Sequence, residues 1–506
     1  MPRLTRRSAL HAAAGLVATG PYMATAAASE REDENERERW VVETGDRVQA
    51  SPTVVGDVVY VGSRDGTMYA LDSDDGTEHW QFETDDTISG SATVVDGTVF
   101  VGSRDGTLSV LDAKTGELYW QFAMQDGELP STPQVVDDTV FVGAKDEQTG
   151  THDAIYALGV TDGTERWRFE TDGEHVSSPS VADGVLYVGG GAHDFHVYAL
   201  DIADGRERWR YRTNAFIYGS PTVADGTVYV GSGGNELYAL DADDGTEEWI
   251  VDDIKGIRSS PTVFDGTVFV GSDSGSPHLG ADDDTHVYAF DADDGEQVWR
   301  FETDDWARSS PTVASGTVYV GNRTGHIYAL DIDDGDEQWA HQLDGRVFSS
   351  PTVVDGVLYV GTDGGSVYAL DVADDATSEG SRARLGTLGH HDDWGHADQS
   401  LDVQSVGVVD QPTHGDEPSN GDESDETDEH DHVDWRDDRS DTNRQDSDDT
   451  SSPSDDDDDT ERSDDGGAGS DESGPGFGIM TALAGAASGG YLAARRARSD
   501  SGDVRE

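Results

Sequence analysis

An internal repeat of about forty residues constrains this 506-residue chain more than any other feature. The consensus unit reads Ser-Pro-Thr-Val, then Asp-Gly-Thr-Val-Tyr-Val-Gly, then Val-Tyr-Ala-Leu-Asp, then Asp-Gly, and it ends near a tryptophan. A proline anchors seven of the units and an alanine replaces it in the second: Pro52, Ala92, Pro133, Pro179, Pro221, Pro261, Pro311 and Pro351. Self-similarity at this period is typical of propellers, solenoids and other repeat arrays.

Each unit contains four short segments that predict β-strands, because apolar and polar residues alternate and β-branched and aromatic residues are frequent. We name them A (Ser-Pro-Thr-Val), B (Tyr-Val-Gly), C (Tyr-Ala-Leu-Asp) and D (the tryptophan segment). Asp-Gly pairs such as Asp96-Gly97 predict tight turns between them, since glycine accepts positive φ and aspartate accepts local hydrogen bonds. The pattern predicts an all-β, eight-bladed propeller of four-stranded blades. A solenoid would fit the period but would need caps at both ends.

The phase of the repeat predicts how the ring closes. The last unit ends with strand C at Asp371 and no repeat tryptophan follows, whereas the repeats begin with an orphan D strand, Trp40 to Thr44. We expect this N-terminal strand to complete the eighth blade, which removes a free sheet edge. The predicted propeller spans residues 40–375 and follows an acidic linker at 29–39.

The charge balance limits the possible functions. The chain has 105 acidic and 33 basic side chains, a formal net charge of -72, and no cysteine. A surface this negative repels phosphate backbones, so nucleic acid is not an expected partner. Without cysteine there is no disulfide, no thiol nucleophile and no cysteine-ligated metal site. The acid excess and the scarcity of lysine resemble the proteins of extreme halophiles.

The N-terminus resembles a secretory signal of the twin-arginine type. Thr5-Arg6-Arg7-Ser8-Ala9-Leu10 precedes a mildly apolar, alanine-rich stretch that ends in an Ala-x-Ala site near Ala28. Residues 1–28 are therefore interpreted as a signal peptide. The resemblance implies export of a folded protein to the outer face of the cell membrane.

The C-terminus resembles a membrane anchor. Gly474-Pro475-Gly476-Phe477 opens an apolar stretch that ends in arginines near 498, long enough to span a bilayer. It resembles the Pro-Gly-Phe sorting signal of haloarchaea, which an archaeosortase removes and a lipid replaces. A plain tail anchor with a short cytoplasmic tail at 499–506 is the alternative. Residues 376–473, rich in Asp, Glu, Ser and Thr, predict a disordered stalk.

The tryptophan segment also points to a family. The pattern Ala-x-Asp-x-x-Thr-Gly-x-x-x-Trp, most complete at Val110 to Trp120, resembles the pyrroloquinoline quinone (PQQ) repeat. The resemblance covers about residues 40–374 and implies tryptophans that pack blade against blade. The family includes both quinoprotein dehydrogenases and non-catalytic outer-membrane assembly propellers. For the dehydrogenases it implies calcium held by Glu and Asn, a catalytic Asp and usually a disulfide of adjacent cysteines.

The loops that vary in length between units all lie on one face of the predicted propeller, the face that carries the B–C and D–A loops. Binding sites usually form on such variable loops. The residue three before each anchor starts strand A and should line the mouth of the central funnel: Gln49, Ser89, Pro130, Val176, Tyr218, Arg258, Arg308 and Phe348. Tyr218, Arg258, Arg308 and Phe348, with Trp306 nearby, predict a site for an anionic or planar group. The alternative is that both arginines pair with neighbouring acids.

Two further patterns in the sequence are weaker indications of a functional site. His390, His391 and His396 have enough donors for a transition metal, but the polar surroundings favour a solvated linker, so no dedicated metal site is expected. Asn322-Arg323-Thr324 fits the glycosylation sequon in a predicted surface loop.

These observations predict a non-catalytic, surface-anchored, monomeric propeller without a cofactor. It would bind a protein, a glycan or a small ligand across the B–C/D–A face. One alternative is a PQQ-dependent dehydrogenase, with PQQ and calcium, in which Arg258 or Arg308 faces a quinone carboxylate. The other is an assembly or folding factor for exported proteins.

Overall fold

The structure is a computed structural model that describes residues 37–124, 127–146, 153–252, 254, 256–273, 285–372, 376–378 and 407–410. These residues form eight sheets, each with four antiparallel strands in the spatial order A-B-C-D, and three of the sheets carry one further strand. No helix occurs within these ranges. The prediction of an eight-bladed, all-β propeller is confirmed.

The innermost A strands are Thr53–Val55, Thr93–Val95, Gln134–Val136, Ser180–Ala182, Thr222–Ala224, Thr262–Phe264, Thr312–Ala314 and Thr352–Val354. The B strands are Val58–Gly62, Thr98–Gly102, Thr139–Asp146, Val185–Ala192, Thr227–Gly231, Thr267–Gly271, Thr317–Gly321 and Val357–Gly361. The C strands are Thr67–Asp72, Thr107–Asp112, Ala154–Gly159, His196–Asp201, Leu237–Asp241, His286–Asp291, His326–Asp331 and Ser366–Asp371. The outer D strands are Glu78–Glu83, Leu118–Ala123, Glu165–Glu170, Glu207–Arg212, Glu247–Val251, Gln297–Glu302, Glu337–Gln342 and, for blade 8, Glu38–Glu43.

The N-terminal strand closes the ring as the repeat phase predicts. Glu38–Glu43 pairs antiparallel with Ser366–Asp371, and Trp40 lies opposite Ala369. The innermost strands also meet at this point, since the Thr352 hydroxyl donates to the carbonyl of Pro52 over 2.7 Å. The strand begins two residues earlier than expected, at Glu38, inside the predicted linker.

The repeat tryptophans hold neighbouring blades together. Trp80 donates its indole N–H to the carbonyl of Ala113 in the next blade, and Trp40 donates in the same way to Ser73 of blade 1, both over 2.9 Å. The indole of Trp40 lies against Gly76, whose φ of 70° lies in the left-handed region and whose added Cβ would come within 2.9 Å of the ring. Glycine in the C–D turn therefore serves both the turn and the joint between blades.

Blades 3 and 4 carry longer B strands than the others. Thr139–Asp146 and Val185–Ala192 each have eight residues, and short strands in the preceding D–A loops, Gly127–Glu128 and Glu174–Val176, pair with them. These extensions lie on the B–C/D–A face. The longer inserted segments of blades 3 and 6 fall partly outside the described residues.

Part of the segment expected to be an unstructured stalk is ordered against the propeller. Ala376 is fully buried in the core of blade 8, and the Ser378 hydroxyl accepts from the backbone N–H of Val353. Gly407–Asp410 adds to blade 2 as a parallel fifth strand beside Leu118–Ala123. That outer strand begins with Leu118, whereas six of the other seven begin with a charged glutamate, and an uncharged edge accepts another strand more readily.

The predicted signal peptide and the C-terminal anchor at 474–498 lie outside the described residues. Among the residues that are described, no helix is long and apolar enough to cross a membrane.

Candidate functional site

Where the side chains are described, the mouth of the propeller on the B–C/D–A face is lined by three positions of the repeat. Two of these positions precede the anchor residue by five and three residues, as Trp306 and Arg308 precede Pro311. The third follows the repeat glycine of strand B by two residues, as Arg323 follows Gly321. The intervening residues point into the core: Val48, Ile88, Ile257 and Val347 are at most 1% exposed. Alternation therefore turns the flanking side chains, among them Arg258 and Arg308, toward the mouth.

Backbone hydrogen bonds fix these positions in a belt around the mouth. In blade 7 the amide of Arg323 donates to the carbonyl of Trp306, and in blade 6 the amide of Asp273 donates to Gly256. The amide of Ala307 donates back to Ser272 of the preceding blade. The D–A loop of blade 7 thus hydrogen-bonds to the B–C turns of two neighbouring blades. These bonds hold the backbone from which the mouth side chains project.

Arg258, Arg308 and Asp273 form the centre of the site. Asp273 Oδ2 accepts from Nε of Arg308 over 2.8 Å and lies 3.0 Å from Nε of Arg258. The Asp273 side chain is 1% exposed, whereas those of Arg258 and Arg308 are 26% and 22% exposed. Two guanidinium groups therefore share one buried carboxylate oxygen, and the three groups carry a net positive charge.

Aromatic rings flank both arginines. The Arg258 guanidinium carbon lies 4.7 Å from the ring centre of Tyr218, and that of Arg308 lies 4.3 Å from Trp306 and 5.6 Å from Phe348. Such cation–π contacts favour the charged form and hold the guanidinium planes in place. Two further residues join the stack. Phe216 packs 4.5 Å from Tyr218, and Arg323 lies 4.3 Å from Trp306.

The electrostatics of the cluster favour an additional negative charge. Burial lowers the pKa of the Arg308 guanidinium below its ordinary value, and repulsion from Arg258 acts in the same direction, while Asp273 opposes both. One carboxylate thus does not fully compensate two half-buried cations. An anionic group brought to the mouth would complete the pairing.

The structure brings together all five residues that the sequence selected for binding: Tyr218, Arg258, Trp306, Arg308 and Phe348. It also shows the alternative, since both arginines pair with an acid. That acid, Asp273, was missed together with Phe216 and Arg323. The repeat could have identified Asp273 and Arg323, because both lie two residues after the B-strand glycine. That position faces the same mouth as the position three before the anchor.

Asn322 lies at the start of the B–C turn of blade 7, but its side chain is not on the surface as the sequon suggested. It is fully buried; its amide donates to Asp304 Oδ1 over 2.7 Å, and its side-chain oxygen accepts from the amide of His326 over 2.9 Å. The residue directly after the B-strand glycine points into the core in each blade where it is described, and Asn322 occupies that position. In the folded protein this buried amide is not accessible to a glycosylating enzyme.

His390, His391 and His396 lie outside the described residues. Among those that the structure does describe, no group of three or more His, Asp or Glu side chains comes together as a metal site.

Comparison with known proteins identifies the repeat. A family profile described as Outer membrane protein assembly factor BamB, built on the PQQ repeat, matches residues 7–93, 84–154, 151–277 and 283–411. The chain belongs to this PQQ-repeat family. No curated protein sequence matches the chain.

Solved structures of PQQ-repeat propellers share its fold. BamB from Moraxella catarrhalis is 22% identical with a TM-score of 0.55, over 66% of this chain and 99% of that one. The quinohemoprotein alcohol dehydrogenase ADHIIG from Pseudomonas putida HK5 is 17% identical with a TM-score of 0.55, over 68% and 77%. A europium-containing methanol dehydrogenase is 18% identical with a TM-score of 0.55, over 66% and 93%. The fold is therefore common to enzymes and to an assembly factor, and function must be argued from the site.

The carboxylates whose side chains are described at the mouth positions already contact other polar side chains. Calcium takes about six to eight oxygen ligands, with carboxylates prominent among them. Asp273 is held by two arginines, Glu128 by Arg104 and Lys145, and Asp363 accepts from Gln49. A cation bound by any of these three carboxylates would have to compete with the side chain that already contacts it.

Proposed function

We propose that this PQQ-repeat protein is a non-catalytic binding scaffold that takes a partner protein, a glycan or a small ligand at the mouth of its B–C/D–A face. One observation carries the proposal: Arg258 and Arg308 share a single buried carboxylate oxygen while their faces rest on aromatic rings. The guanidinium groups are positioned in advance and retain unused N–H donors. Preorganised donors reduce the entropic cost of binding an anionic group.

The proposal places the scaffold on the outer face of the cell membrane as a monomer. The twin-arginine pattern near Arg6 and the Pro-Gly-Phe segment near Phe477 support export and anchoring. The acidic composition of the sequence between propeller and anchor favours an extended segment through self-repulsion.

What weighs against a dehydrogenase is the chemistry of the mouth. The acids there are paired with arginine, lysine or glutamine side chains, and the chain lacks the cysteines that the enzymes of the family commonly use over the quinone. The proposal therefore assigns no cofactor and no catalytic residue.

A second candidate role follows from the family match. The profile that covers the whole propeller is named for an outer membrane protein assembly factor. In that role the mouth would contact exported proteins during assembly rather than a stable ligand. A partner that exchanges on the time scale of protein export would favour it over a permanent scaffold.

The test is purification of the full-length protein from its native surface in molar salt, with identification of what is retained. We expect the R258Q/R308Q variant to lose the retained molecule and the R208Q/R210Q variant to keep it. The control removes two arginines from the outer strand of blade 4, where Arg208 pairs with Asp201 and Arg210 with Glu207. Retention unchanged in R258Q/R308Q would refute the site. Quinone absorbance with calcium-dependent dye reduction would replace the proposal with the dehydrogenase.

A further inference from the structure

Basic side chains at the mouth extend far beyond Arg258 and Arg308. The three mouth positions of blades 6, 7, 8, 1, 2 and 3 hold eight of them: Arg258, Arg308, Arg323, Arg346, Arg47, Arg64, Arg104 and Lys145. We call this set the basic arc. The same positions of these blades hold three carboxylates, Glu128, Asp273 and Asp363. At these positions eight cations face three anions, and the adjoining residues of the same loops add carboxylates such as Asp46, Asp65 and Asp344.

The arc contains a second cluster that repeats the arrangement around Asp273. Glu128, whose side chain is 15% exposed, lies 3.7 Å from Nε of Arg104 and 3.4 Å from Nζ of Lys145. Two cations again share one shielded carboxylate. This cluster joins blades 2 and 3, and the Asp273 cluster joins blades 6 and 7, so the two lie on opposite sides of the ring.

Blade 1 connects the two clusters with two further arginines, Arg47 and Arg64. The amide of Arg64 donates to the carbonyl of Arg47 over 2.9 Å, which places two guanidinium side chains at adjacent mouth positions. Neither of them forms an ion pair with a described carboxylate. Two like charges at adjacent positions repel each other and destabilise the folded state unless an anion offsets the repulsion.

The shape of the arc favours an extended ligand over a compact one. Six consecutive blades of the ring contribute to it, whereas blade 5 presents Phe216 and Tyr218 instead. The aromatic rings are already covered by guanidinium groups, two of them over Trp306. A sugar that stacks on an aromatic face would have to displace these groups, but a carboxylate would bind to their edges.

We propose that the basic arc binds an extended acidic polypeptide segment, whose Asp and Glu carboxylates bridge neighbouring guanidinium groups from blade 6 round to blade 3. The inference rests on the proposed binding function and names its partner class. Carboxylate pairing would also offset the mutual repulsion of Arg258 and Arg308. Because exposed ion pairs are screened by salt, affinity should fall as the salt concentration rises.

The experiment uses the full-length protein and a labelled peptide of alternating Asp and Ser, with binding followed by fluorescence anisotropy at several KCl concentrations. The Asn-Ser analogue and polyglucuronate serve as competing probes. The variant is R47Q/R64Q/R104Q, and the matched control is R208Q/R210Q/R212Q on the outer strand of blade 4. We expect binding of the Asp-Ser peptide to weaken about tenfold in the arc variant, since each exposed pair contributes only modestly, and to be unchanged in the control.

Three outcomes would overturn the inference. They are equal losses in the arc variant and the control, tighter binding of polyglucuronate than of the peptide, or no binding of the Asp-Ser peptide to the wild type. In the last case, loss of the native retained molecule in R258Q/R308Q would still support the proposed function, so the two failures are distinguishable. Unchanged melting temperatures of both variants in molar KCl establish that folding is intact.

Discussion

The two faces of the propeller are built from the same strands and differ in how strictly they repeat. The A–B and C–D turns carry nearly the same acidic sequence in every blade, and in them Asp72 and Asp241 accept backbone amides of their own turn. The B–C and D–A loops vary in length and gather arginines and aromatic rings around Asp273. The repeated turns of one face carry the glycines against which the repeat tryptophans of neighbouring blades pack. The loops that differ between blades lie on the other face, which is the face available for binding.

The largest effect is expected where a repeated contact closes the ring. Trp40 is 8% exposed and bonds across to blade 1, so Trp40→Ala should lower the free energy of unfolding by about 3–5 kcal/mol. Val41 on the same strand is 40% exposed, and Val41→Ala should change it by about 0.5 kcal/mol or less. Urea unfolding in molar KCl measures both. Similar losses in the two variants would mean that ring closure does not depend on the repeated tryptophan contact.

A smaller effect on stability, with a gain in binding, is expected at the mouth. Asp273→Asn leaves Arg258 and Arg308 without their shared counter-ion and should lower the free energy of unfolding by about 3 kcal/mol. The same change frees both guanidinium groups, so the affinity for the Asp-Ser peptide should rise.

The control for this prediction is Asp265→Asn, the same charge change in an exposed A–B turn of the same blade, at a φ of 45° that asparagine accepts. Urea unfolding and anisotropy should find both properties unchanged in D265N. A D273N variant that loses stability without gaining affinity would make Asp273 a structural residue only.

The smallest effect is expected from the acidic turns and appears only at low salt. The screening length is about 30 Å at 0.01 M salt and about 3 Å at 1 M, so repulsion between exposed turns should lower the melting temperature on desalting. D243N/D293N/D333N removes one exposed carboxylate from each of three neighbouring C–D turns. The variant should recover part of the loss in dilute salt and match the wild type in molar salt. Equal melting temperatures of the wild type in both conditions would refute the solvation role assigned to this face.

The fold was predictable because its signals are local and repeated eight times. Alternation and Asp-Gly turns define the strands, and the missing tryptophan after Asp371 identifies Trp40 as the closing strand. Asn322 shows the limit of a local pattern, since the sequon was visible and the inward direction of its side chain was not. The strand Gly407–Asp410 shows another, because its four residues form a strand only where the uncharged edge of blade 2 accepts them.

The sequence by itself determined the number of blades, the order of the strands, the closure of the ring and the face where variation collects. Each of these depends on spacing along the chain. Only the tertiary structure decided which charges meet. Asp273 lies between Arg258 of its own blade and Arg308 of the next, and the basic arc joins residues as far apart as Arg47 and Arg346. Ion pairing depends on distance in space, and the ring brings together positions that the chain separates by up to seven repeats.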